Sequence, residues 1–141
     1  MRYSAYFERA LSVAPHSTAE AERILREAED HAGKSFAYDL CLCGEGWWRI
    51  LGNRDQAMRC LLLAEVRHWN DCREQLMVAE FYWRLFQDTQ AVKRCLQKAF
   101  AAATTDDHLE RIAEFLKKLG LQQDNIIFIS PDEAAIRDGS A

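Results

Sequence analysis

Apolar side chains recur every three or four positions along most of this chain. Tyr3, Phe7, Leu11 and Ala14 form the first such series, the spacing that places residues on one face of a helix. Pro15 closes it, because a proline inside a helix removes a donor and clashes with the preceding turn. Thr18 opens a second helix, with Glu20 and Glu22 near its positive N-terminus and Gly33 at its end. Further helices are predicted at about 36–51, 54–69, 72–86, 89–103 and 106–119. Gly52-Asn53 and Thr104-Thr105-Asp106 separate neighbours, and Gly120 caps the last. Strand-like alternation does not occur before residue 126.

The pattern repeats. The segment from Trp48 to Glu65 lies on that from Trp83 to Phe100 with a shift of 35 and no gaps. Trp48/Trp83, Arg49/Arg84, Arg59/Arg94, Cys60/Cys95, Leu61/Leu96 and Ala64/Ala99 are identical, where chance gives about one match. Glu45/Glu80 and Trp47/Tyr82 extend the match upstream. Ala79-Glu80-Phe81 recurs as Ala113-Glu114-Phe115 at a shift of 34, and Ala57, Leu61 and Ala64 fall back on Ala21, Leu25 and Ala28 at a shift of 36. Such a period suits a helix, a turn and a second helix.

Gly52 to Glu65 resembles the turn and second helix of a tetratricopeptide repeat, with Ala57, Leu61 and Ala64 at that family's small, bulky, small spacing. Trp48 and Trp83 would be the large residue late in the first helix. The resemblance implies an all-α fold of tandem antiparallel helix pairs forming a short right-handed α-solenoid. About seven helices would fill residues 1–120, with 121–141 as a C-terminal capping segment. Departures exist: Cys41 stands at the family's early Trp position, Gly44-Glu45 at its Leu-Gly pair, and no proline closes each repeat. Shorter helical-hairpin arrays of the Sel1-like type imply the same function, which is to hold a protein or peptide.

Composition narrows the alternatives. With 141 residues, 49% hydrophobic and 28% charged, the chain can bury a core without staples. A formal charge of −4 argues against a nucleic-acid partner, since phosphate binding is driven by clustered Lys and Arg. No segment approaches the ~18 apolar residues of a membrane span. Glu8 and Arg9 interrupt what a signal peptide would need, and five cysteines without framework spacing fit a reducing compartment. The expected location is cytoplasmic.

Cys41 and Cys43 are the most tempting chemical pair. Two residues apart on a helix they point roughly 200° apart, which suits buried packing better than a shared metal or disulfide. Cys60 and Cys95 share one repeat position, which again suits a core. Cys72, at a helix start, is a candidate reactive thiol, because the helix dipole lowers a thiol's pKa. His16, His31, His68 and His108 all fall near loops or helix ends, as surface or capping residues do. No nucleophile elbow, phosphate loop, HExxH or calcium loop is present. The expectation is a non-enzyme without a cofactor or metal.

The first helix of each pair lines the concave face of such an array. From the repeat register, Asp39, Leu42, Cys43, Gly46 and Arg49 would face it, then Glu74, Met77, Val78, Phe81 and Arg84, then His108, Arg111, Ile112, Phe115 and Lys118. Arg49, Arg84 and Lys118 would form a basic edge, with Met77, Phe81 and Phe115 as an apolar floor. Arg49, Met77, Phe81, Arg84, Arg111, Phe115 and Lys118 are therefore the candidate peptide-binding residues, for a segment with acidic and apolar anchors. The competing reading is that the arginines pair with Glu45 and Glu80. Leu42 and Gly46 stand where chaperone-binding members carry a charged and an amide group. Ile126-Ile127-Phe128-Ile129 and Ser130-Pro131-Asp132-Glu133 suggest an apolar cap followed by a short helix to about Arg137. The leading expectation is a peptide- or protein-binding adaptor or scaffold, with a self-associating structural subunit and a cysteine-based metal or redox sensor as alternatives.

Overall fold

The computed structural model describes residues 3–32 and 37–120. Within them lie seven helices and no strand: α1 Tyr3–Val13, α2 Thr18–Asp30, α3 Ala37–Leu51, α4 Arg54–Arg67, α5 Cys72–Phe86, α6 Thr89–Ala102 and α7 Asp106–Lys118. The expected cap at 121–141 and the ending at Gly33 lie outside the described residues. None of these helices is long and apolar enough to cross a membrane.

Local chemistry sets most boundaries. Ser17, Asp71, Asp88 and Thr105 each accept the amide three residues ahead with their side-chain oxygens, which satisfies one of a helix's orphan donors. Asn53 does the same for Gln56 at 3.1 Å. Gly52 turns the chain out of α3 at φ +62° and Gly120 out of α7 at φ +67°, a backbone region where a Cβ is strained. Gln87 takes the equivalent place after α5 at φ 50°, a glycine-like role for a residue with a side chain.

The helices form two compact units, one within Met1–Arg67 and one from His68 onward. In the first, α1 packs on α2, α3 packs on α4, and α3 also lies against α1 and α2. In the second, α5 packs on α6 while α7 lies against both. The next first helix is thus seated against the pair before it in each unit.

Burial follows the repeat register. In α3, Ala37, Leu40, Cys41, Cys43, Gly44, Gly46 and Trp47 are buried, and so are their partners 35 residues on in α5: Cys72, Gln75, Leu76, Val78, Ala79, Phe81 and Tyr82. Ala21, Ile24, Leu25 and Ala28 of α2 answer Ala57, Cys60, Leu61 and Ala64 of α4 at the shift of 36. Ile112, Phe115 and Leu116 of α7 answer Val78, Phe81 and Tyr82 at the shift of 34.

One expectation is corrected by this packing. The fully buried aromatics late in the first helices are Trp47 and Tyr82, whereas Trp48 and Trp83 are half-buried. Adjacent helix positions differ by about 100°, so the identical tryptophans lie beside the core stripe.

Candidate functional site

Each unit carries a solvent-open groove between successive first helices. In the second unit the groove between α5 and α7 has a volume of about 330 Å³. Leu76, Met77 and Phe115 supply its apolar part, with Arg73 and Glu80 on one wall and Arg111, Glu114 and Lys118 on the other. At one end Asp107 accepts from both Arg111 at 2.9 Å and Arg73 at 3.5 Å. The Arg111 hydrogen bond is the main cause that holds the Asp107 carboxyl below its ordinary value. At the other end Lys118 meets Glu80 at 2.9 Å. Two guanidinium groups sharing one carboxylate leave donors directed at solvent, since each guanidinium carries five N–H groups.

In the first unit the corresponding groove lies between α1 and α3 and measures about 520 Å³. Phe7 and Leu11 from α1 face Leu42 and Ile50 from α3, with Glu8, Glu45 and Arg49 at the rim. Arg49 pairs with Glu45 one turn away at 2.8 Å. Gly46 lets α1 come close: a Cβ there would stand 2.9 Å from the Phe7 ring and 3.1 Å from Leu25.

The candidate residues divide between the units. Met77, Arg111, Phe115 and Lys118 meet in the α5–α7 groove, and Arg49 lines the α1–α3 groove. Phe81 is buried, and the exposed Arg84 lies over its ring at 4.6 Å from the centroid, a cation–π contact within the same helix. Cys43 and Val78, read as groove-facing, are instead core residues, and Glu74 is buried as well; Gly46 is buried but lines the α1–α3 groove as read. The register did not single out Arg73, which sits one turn before Met77; its place opposite the start of α7 is a tertiary fact.

Elsewhere in the first unit, Glu29 of α2 holds Arg59 of α4 through two bonds of 2.6 Å. Burial alone would raise the Glu29 carboxyl; the hydrogen bonds and charge of Arg59, helped by Cys60 and Trp47, outweigh it and lower the group. Burial pushes the Cys60 thiol up to about 12 and raises Cys43 further. Cys72 is raised too, first by burial and then by Asp71. Burial of Cys72 first, and then the capping carboxylate beside it, oppose the helix dipole on which the expectation of an activated thiol at the start of α5 rested. The thiols of Cys41 and Cys95 are also buried.

No protein-family model, curated protein or solved structure matches this chain.

Proposed function

We infer that this protein is a helical-hairpin repeat module that binds peptide segments of other proteins in the grooves between successive first helices. The observation that carries this reading is the recurrence of one kind of groove in both units at equivalent repeat positions, walled by Leu42, Glu45, Gly46 and Arg49 of α3 in one and by Arg111, Glu114, Phe115 and Lys118 of α7 in the other. Supporting the solenoid-like arrangement are the shift of 35 in sequence and the burial pattern that follows it. Open grooves lined by apolar side chains with a few charged groups suit extended or helical segments.

The α5–α7 groove fits a segment with an acidic group and an apolar anchor. Arg73 and Arg111 would share its carboxylate in place of, or beside, Asp107, and Leu76, Met77 and Phe115 would cover the apolar side chain. Met77 adapts to different partners because its thioether is unbranched and polarizable.

A photo-crosslinking residue placed at Met77, compared with one at exposed Gln97 on α6, tests the reading. The expected outcome is a protein adduct at Met77 that is absent at Gln97 and lost when Arg73→Glu and Arg111→Glu are combined. Equal adducts at both positions, or none at Met77, overturn it.

A further inference from the structure

The two grooves occupy equivalent places in the repeat but differ in charge. The α5–α7 lining carries three cations, Arg73, Arg111 and Lys118, against Glu80 and Glu114; Asp107 at its end is shared by the two arginines and Glu80 pairs with Lys118. The α1–α3 lining reverses the balance, with Glu8 and Glu45 against Arg49 alone. Arg49 is already engaged with Glu45 at 2.8 Å, so the exposed Glu8 carboxylate sets the sign at the mouth. Beside it Leu11 is 61% exposed, and Phe7, Leu42 and Ile50 continue an apolar surface inward from it.

We propose that the α1–α3 groove takes a short segment of another protein whose apolar side chain seats among Phe7, Leu11, Leu42 and Ile50 while a neighbouring lysine or arginine meets Glu8. The proposal rests on the peptide-binding reading and assigns this groove a preference opposite to that of the α5–α7 groove. Apolar contact supplies most of the attraction, because burial of such area is the dominant favourable term in association. Charge at the rim selects among apolar segments, since complementary rim charges steer encounter and like charges reject it. Gly46 maintains the groove by letting Phe7 lie against α3; any side chain there would displace the ring at 2.9 Å.

The test uses the full chain at low salt, where exposed charges are least screened. Two synthetic peptides share one apolar core, one flanked by lysines and the other by glutamates, and backbone amide NMR shifts report the site. The lysine peptide is expected to shift the signals of Phe7, Leu42 and Ile50 and to bind at least about fivefold more tightly there. Glu8→Lys, a change at an exposed position, is expected to erase that preference while Leu42→Glu removes binding of both peptides. Equal affinity at this groove, or a preference that survives Glu8→Lys, overturns the proposal. Should the lysine peptide leave α1 and α3 unshifted while the glutamate peptide shifts Met77 and Phe115, this proposal falls and the peptide-binding reading stands. Shifts at neither groove remove both.

Discussion

Glu29 joins two helices of the first unit through one carboxylate. Arg59 reaches it with both terminal nitrogens, and the Cys60 thiol on the same helix helps to hold the carboxyl down. The indole N–H of Trp47, closed to solvent and without a hydrogen bond of its own, lies near enough to help lower it. A carboxyl held below its ordinary 4.5 stabilises the fold at pH values above that figure, and the contribution is lost as pH falls through the lower folded value. Glu29→Gln is therefore expected to cost about 1–3 kcal/mol at neutral pH and to flatten the decline of stability below about pH 5. Urea unfolding of both proteins at neutral and acidic pH measures this; parallel curves would show that Glu29 is not the titrating group. The thiols run the other way. Cys60 ionises at about 12 in the fold against an ordinary 9.0, so its contribution is full below pH 9 and declines as the pH rises toward 12. Native protein should then react with a thiol reagent at pH 8 only as fast as it opens, and rapid stoichiometric labelling would contradict the burial.

At the scale of the helix, close approach is decided by small residues. Ala64 and Ala99 are each fully buried at the same repeat position, so Ala64→Leu or Ala99→Leu overpacks a contact and is expected to cost about 1–3 kcal/mol. Unchanged midpoints in denaturant would mean that the alanines face space the packing does not fill. Glycine makes a finer test. A Cβ on Gly44 would stand 3.0 Å from the Ala57 carbonyl oxygen of α4, whereas one on Gly46 meets the Phe7 ring. Backbone cannot step aside as a ring can. Replacing glycine by alanine within a helix is worth up to ~1 kcal/mol in propensity, so Gly46→Ala should come out near neutral in stability while Gly44→Ala destabilises. The reverse order, read from urea midpoints, would reject this account of the α3–α4 contact. Gly52→Ala meets no neighbour but inherits a φ of +62°, and should lose about 1 kcal/mol through strain alone.

For the molecule as a whole, the charged surface adds little to stability. Exposed Arg49 pairs with half-buried Glu45 across one turn, and Arg84 rests on Phe81. Exposed pairs of this kind are worth roughly 0–1 kcal/mol. Arg49→Glu combined with Arg84→Glu should keep full helix content and a melting temperature within about 5 °C of the parent. Unfolding of the double variant would assign the arginines to holding the fold. Crosslinking at Met77 in the same protein then separates the grooves, because the α5–α7 lining contains neither arginine.

Helix positions and the repeat were legible in the chain itself, because they depend on neighbours within a few residues. Apolar spacing placed the helix ends to within two residues except that α2 stops at Asp30, three before the expected Gly33; the caps Ser17, Asp71, Asp88 and Thr105, which the apolar pattern did not single out, each act on an amide three residues ahead. The repeat register also carried burial from one pair to the next, since equivalent positions in equivalent pairs meet the same neighbours. Tertiary structure decided what depends on helices distant in sequence. It turned Trp47 and Tyr82 inward in place of Trp48 and Trp83, and put Cys43 and Val78 in the core when they had been read as facing the groove. It also brought Arg73 to Asp107 across 34 residues of chain and set Arg59 on Glu29 across 30. A helical pattern specifies which stripe is apolar to within about one position, or 100° of rotation; the crossing of two helices decides which edge of that stripe is covered and which is left open to a partner.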